Sequence, residues 1–260
     1  MKLLHCDVGF VSDPGNQRPD NQDSLIVRRG QLDGRDFVLL AVADGMGGMS
    51  QGDRASCIAA LLLGQWWEGE LPTLLTQKPF SWENLSNALT EVISHINQAI
   101  RSGNTTEEKS GTTLSLLFYM DGRYLLRQVG DSRIYLLRQG QVFQVTKDQT
   151  WCQQEIDQGR LTPEEALTHK MRHVLISALG IREDYICQES WGEAAEDDWL
   201  LVCSDGFYNE LDVATTLPAA CQKGEPQKIV EGLLARIKAG RAGDNVSAIL
   251  AHVTSKRKWL

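Results

Sequence analysis

Residues 36–43, DFVLLAVA, form an almost unbroken apolar run that leads straight into Asp44 and Gly45. A run of this kind is a strand buried on both faces. A chain that contains one has to cover it from two sides, so a layered fold is required. The ending of the run then recurs along the chain. VCSDGF places Asp205-Gly206 after a second apolar stretch, QVGDSRIYL places Asp131 between two strands, and AGDNVSAIL places Asp244 just before the last one.

Asp is disfavoured inside strands, and a following Gly lets the backbone turn sharply or approach a ligand. One such pair is ordinary turn chemistry. Four, at the ends of strands apolar enough to share a core, can bring carboxylates together. At about 5 Å and an effective dielectric near 20 each pair would repel by roughly 3 kcal/mol, or on the order of 20 kcal/mol for six pairs. A domain stable by about 5–15 kcal/mol cannot carry that load. Protons or hard divalent cations must relieve it, and Asp oxygens with a Gly carbonyl are donors that Mg²⁺ and Mn²⁺ prefer.

The chain has 260 residues, 42% of them hydrophobic, enough for one large core, and neither a linker nor an internal repeat divides it. A single domain over 1–255 is expected, followed by a short basic tail, 256–260, that carries KRK. The formal charge of −8 argues against a nucleic-acid surface. No stretch reaches the roughly 18 apolar residues of a membrane span, the best, 55–67, being short and interrupted. The N-terminal MKLLHCDVG lacks the apolar segment of a signal peptide, and the six cysteines show neither a CxxC nor paired spacing. Reduced thiols in a cytoplasmic protein are the simplest account.

Periodicity predicts strands at 5–11, 24–29 and 36–43, a covered helix at 53–67, and an amphipathic helix that starts at an N-cap, Ser81. That second helix carries Trp82, Leu85, Leu89, Val92, Ile96 and Ile100 on one face. Four strands at 112–120, 124–129, 132–138 and 142–146, joined by DGR and QG turns, read as an antiparallel meander. A polar, punctuated flap at about 147–180 follows, with a helix start at Thr162-Pro163-Glu164-Glu165. Strands at 186–191 and 199–203, helices at 211–221 and 226–239, and a last strand at 246–253 complete an α+β sandwich with helices outside.

In RPDNQDS, Arg18 precedes Asp23 just ahead of a strand. The pair is either a local surface contact or a guanidinium fork for a phosphate dianion, with Asp23 holding a metal-bound water. Among five histidines, His95 and His252 read as structural, and His169 and His173 order the flap or approach substrate. No HExxH, GxSxG or catalytic triad occurs. The GMGG of 45–48 fits neither a Walker loop nor a dinucleotide fingerprint; its use is backbone approach, through the Gly45 carbonyl, to a metal.

Taken in order, RPDNQDS, VADGMGG, SGTTLSLL, VGDSRIYL, VCSDGF and GDNVSAIL resemble the bacterial metal-dependent protein phosphatases of the 2C type, over residues 7–253. The resemblance implies a four-layer α/β/β/α sandwich with two central antiparallel β-sheets, a flap insert, and two Mn²⁺ or Mg²⁺ ions at one end. By resemblance, Asp44 bridges both ions, Gly45 gives one a carbonyl, and Asp205 and Asp244 hold the other. Asp131, with Asp205, holds a third, weaker ion near the flap; Arg18 binds phosphate and Asp23 orients metal-bound water. The implied reaction is attack of a metal-bridging hydroxide on a phosphoserine or phosphothreonine, with no covalent enzyme intermediate. The implied partner is a phosphorylated protein, either a Ser/Thr kinase or its targets, and the implied state is a monomer.

Four residues depart from common family patterns: Gln22 in place of Glu, and Met46, Met49 and Gln149 in place of His. One rival is a phospho-binding module with the same fold and little turnover. Another is a two-metal nuclease, which the acidic composition disfavours.

Overall fold

The computed structural model describes residues 4–47, 52–105, 107–222 and 224–255. Strand β1 (His5–Asp13) leads to the hairpin of β2 (Asp23–Leu32) and β3 (Arg35–Gly47). Its turn, Asp33-Gly34, has positive φ at both residues, which matches the twist of the flanking strands. Three helices follow: α1 (Gly52–Gly69), α2 (Leu71–Thr76) and α3 (Trp82–Ser102). As its sequence predicts, α3 starts after Ser81, whose hydroxyl accepts from the Asn84 N–H.

Next come β4 (Ser110–Thr112), β5 (Leu114–Met120), β6 (Arg123–Val129), β7 (Arg133–Arg138) and β8 (Gln141–Gln144). The flap holds α4 (Trp151–Asp157) and α5 (Pro163–Thr168), the latter opened by a capping box between Thr162 and Glu165. The chain ends with β9 (Gln188–Glu193), β10 (Trp199–Cys203), α6 (Asp205–Tyr208), α7 (Val213–Ala220), α8 (Pro226–Lys238) and β11 (Val246–Thr254). No helix among the described residues is long and apolar enough to cross a membrane.

Two antiparallel sheets result, one in the order β1-β11-β10-β7-β8 and the other β2-β3-β5-β6-β9, with β4 added to the far part of β3. Three apolar layers account for the stacking. Phe37, Leu39, Ala41 and Ala43 of β3 face α1 and α3, whereas Val38, Leu40 and Val42 face the other sheet. The apolar run at 36–43 is thus covered on both sides. Leu201 and Leu250 pack beneath Val230, Leu233 and Ile237 of α8 to form the third layer. This is the four-layer α/β/β/α sandwich that the sequence implies.

Two local expectations need correction. The meander at 112–146 is divided: β5 pairs with β6 and β7 with β8, but β6 continues to β9 and β7 to β10. The chain crosses between sheets at Gly130, whose φ of +98° turns it away, and Asp131 sits on the crossing. Nor does β3 end at Asp44. It leaves β5 after Val42 and pairs with β4 instead, Gly45 opposite Thr112 and Met46 opposite Gly111. The predicted strand at 112–120 is accordingly two strands broken at Thr113.

Candidate metal and phosphate site

Asp23 opens β2 directly opposite Asp44 on β3. The peptide of Asp44 is clasped by the break in the neighbouring strand: its N–H donates to Thr113 Oγ1 at 3.0 Å, and its carbonyl accepts from the Thr113 N–H at 2.9 Å and from Thr112 Oγ1 at 3.0 Å. Gly45 donates to the Gln22 carbonyl at 3.1 Å, and a β-carbon on it would stand 2.2 Å from the Gly52 oxygen. Only glycine fits there. Gly206 is similarly confined, a β-carbon falling 2.1 Å from the Asn245 oxygen, which places Asp205 at the start of α6 against the loop of Asp244.

The structure brings Arg18, Asp44, Gly45, Asp131, Asp205 and Asp244 to the wall of one pocket of about 250 Å³. Asp23 does not line it but is buried beside Asp44, and neither of its carboxylate oxygens makes a hydrogen bond. Arg18 is placed differently from a free phosphate fork. Its Nε and NH2 groups donate to the two oxygens of Asp244 at 3.0 and 2.9 Å, on an exposed rim. Such an exposed pair is worth little by itself. A larger cavity of about 710 Å³, beside Trp199 and His252 at the opposite end of β10, contains none of these acids.

Burial is the main reason the carboxyls are hard to ionise together. It pushes Asp44 well above the usual range, and Asp23, Asp205, Asp131 and Asp244 add repulsion. Burial moves Asp23 up to about 6, although the hydroxyls of Ser247 and Ser204 lie near enough to offset part of the cost. Asp131 rises to about 8, again through burial first and then through Asp205 and Asp148. Asp205 is raised by burial and by Asp244, against the lowering influence of His173 and Arg18.

One contributor was not singled out from the sequence. Asn245 accepts from the Gln22 N–H at 2.8 Å and donates to the carbonyls of Pro14 and Asp20, so it holds the loop that carries Arg18. The Asn that follows Asp244 was the available signal. His173, from the flap, puts Nδ1 3.8 Å from Asp205 and lines the pocket, while His169 stacks on Trp151 within the flap. Gln149 turns out to be a buried staple. Its Oε1 accepts from the Gly130 N–H at 2.8 Å, and its carbonyl accepts from the Ile176 N–H at 2.9 Å, tying the Asp131 crossing to the flap. Met46 lines the pocket; Met49 and the basic tail lie outside the described residues.

Among the described residues, no three His, Cys, Asp or Glu side chains close into a ready ligand shell. The donor set nevertheless suits a hard cation. It is made of carboxylate oxygens and a glycine carbonyl, and the Asp23 carboxylate, buried without any hydrogen bond, lies behind it next to Asp44.

A sandwich of this order with an acid-lined pocket at one end defines a class, and comparison with known families names it. The family model described as Protein phosphatase 2C matches residues 17–229, and the chain belongs to that family. It is 32% identical over 252 residues to the serine/threonine protein phosphatase PstP of Mycobacterium tuberculosis, covering 93% of this chain. The chain spans only 44% of that relative's length. It is also 31% identical to the serine/threonine phosphatase Stp of Listeria monocytogenes, with 96% of both chains covered. Among solved structures, the PstP catalytic domain in complex with two manganese ions superimposes with a TM-score of 0.80 at 31% identity, over 96% of this chain and 99% of that one.

Proposed function

We propose that the protein is a serine/threonine protein phosphatase, a hydrolase of phosphoserine and phosphothreonine esters in proteins, built as one domain over residues 1–255. The observation that carries this reading is the convergence of Asp44, Asp131, Asp205 and Asp244 with Arg18 on one pocket. Two Mn²⁺ or Mg²⁺ ions bound there would lower the pKa of a shared water, the nucleophile, and neutralise the phosphoryl oxygens. Asp44, the Gly45 carbonyl, Asp205 and Asp244 would hold them, Asp44 serving both. Asp131, on the crossing between the sheets, would hold a weaker third ion together with Asp205. Asp23, buried next to Asp44, orients the shared water.

Arg18 binds the phosphate dianion once it leaves Asp244, whose carboxylate then serves a cation. The fork geometry already made with one pair of oxygens is the geometry a phosphate needs. An Arg18→Ala protein is expected to raise KM about tenfold and to lower kcat by less, because it removes mainly ground-state binding. An unchanged KM in steady-state assays would remove Arg18 from that role. The substrate is a protein phosphorylated by a Ser/Thr kinase, or that kinase itself. A monomer acting in the cytoplasm completes the reading.

The test is hydrolysis of p-nitrophenyl phosphate and a phosphothreonine peptide with Mn²⁺, with Mg²⁺ and with EDTA, by the wild type and by Asp205→Asn. Turnover with metal that chelation and the substitution each abolish is the expected result. Turnover that survives both overturns the mechanism. Phosphopeptide binding without turnover under any metal favours the phospho-binding module.

A further inference from the structure

Two depressions open off the acid-lined pocket. One shares Asp131 and His173 with it and mixes polar and apolar lining, with Arg133 and Asp148 in its wall alongside Ile156, Pro163 and Leu167. The other, of about 530 Å³, shares Met46 and Leu175 with it and is walled by Ile176, Ile181 and Ile186. Ile181 and Ile186 are 38% and 52% exposed.

Isoleucines left in water beside a reaction site are a cost unless something covers them. These two are held in place. The Ile186 N–H donates to Ser177 Oγ at 2.8 Å, and the same hydroxyl donates back to the Ile186 carbonyl at 3.2 Å. The Asn97 amide donates to the carbonyls of Arg182 and Glu183 at 3.0 and 3.2 Å, and its oxygen accepts from the Gly180 N–H at 2.7 Å. Ile181 rests on Gly111, where a β-carbon would come within 2.8 Å of it. The segment is thereby fastened to α3 and β4, and its apolar wall is formed before any ligand arrives.

We propose that this groove is a specificity subsite for a branched aliphatic or aromatic side chain, one or two residues from the phosphorylated Ser or Thr, on an extended substrate segment. The inference rests on the phosphatase reading above. A segment that delivers phosphate to the acid-lined pocket crosses the wall formed by Met46 and Leu175. Extended chain advances about 3.3 Å per residue, so a near neighbour of the phosphorylated residue reaches the groove. Arg182 and Asp184 both line it and leave it without a dominant sign, while the acids next door oppose a carboxylate. An apolar side chain is therefore the occupant that fits.

The experiment compares kcat/KM, with Mn²⁺, for phosphothreonine peptides that differ only in carrying Leu, Ser or Asp at each of the two positions on either side. Wild type is expected to prefer Leu over Ser by about tenfold in at least one position. Ile186→Ser is expected to cut that preference below about threefold and to leave p-nitrophenyl phosphate hydrolysis unchanged; Ile181→Ser is the second probe. Equal rates for Leu and Ser at every position overturn the proposal, as does a preference that survives both variants or a loss that falls equally on p-nitrophenyl phosphate. A dimer that Ile186→Ser dissolves in sedimentation would assign the groove to a second copy and likewise overturn it. Failure of the phosphatase reading is distinguishable, because wild type would then hydrolyse none of these substrates.

Discussion

An Asp44→Asn protein is expected to lose turnover by at least ~10³-fold, the scale on which removal of one member of a catalytic constellation acts, and yet to be more stable than wild type when free of metal. Burial and four neighbouring acids push the Asp44 carboxyl well above its ordinary value of 3.8. Holding such a group protonated above its ordinary range costs free energy that grows as pH rises. Asn is nearly the same shape and carries no such cost. The gain in stability should therefore be present at pH 7 and fade toward pH 4, where the wild-type carboxyl is protonated in the unfolded chain as well. Denaturant melts of both proteins in EDTA, at pH 4.5 and 7, measure it. A variant less stable than wild type at pH 7 would show that Asp44 is not a buried charge under strain.

The second large effect is the pH dependence of the whole site. Asp23 and Asp131 have native values of about 6 and about 8 against an ordinary 3.8, and Asp44 and Asp205 are shifted in the same direction. Carboxyls raised on folding make the native state hold more protons than the unfolded one across this window. Stability of the metal-free protein is therefore greatest below about pH 4 as far as these groups are concerned. It is lost as pH rises through about 6 and then 8, by a few kcal/mol overall. Saturating Mn²⁺ should reverse the slope, because a cation takes the place of the protons and binds more tightly as they leave. Thermal unfolding from pH 5 to 8, with EDTA and with Mn²⁺, tests both limbs. A flat or rising curve in EDTA would rule out the coupled acids as its source.

Most of the architecture could be read because its signals are local. The doubly covered run at 36–43, the Ser81 cap, the Thr162 capping box and the helical face of α8 each declare themselves within a few residues. The division of the meander could not be read that way. Both halves of 112–146 have strand periodicity and hairpin turns, and only the pairing of β6 with β9 and of β7 with β10 separates them. The same limit governed the site. Asp44, Asp131, Asp205 and Asp244 stood out through neighbouring glycines and strand boundaries, and they share a pocket. Asp23 was recognisable as an acid, but the hydroxyls of Ser204 and Ser247 that lie near its buried carboxyl come from the other sheet and could not be read as its neighbours. The roles of Asn245 and Gln149 were hidden because each is defined by backbone partners distant in sequence. A one-letter comparison that expects His at position 149 has no means of seeing the staple that Gln149 forms.

The layer between the two sheets also has a metric consequence. Val42 and Val202, both fully buried in it, stand two and three residues before Asp44 and Asp205, on opposing sheets. The widths of these side chains and of their neighbours Leu40, Leu117 and Ile249 set how far apart the sheets stand, and hence the gauge across which the acids face one another. Hydrophobic packing here acts as a calliper for the acid-lined pocket. If its acids hold cations as proposed, a methylene added at Val42 is expected to change which cation radius fits best, with no acid altered.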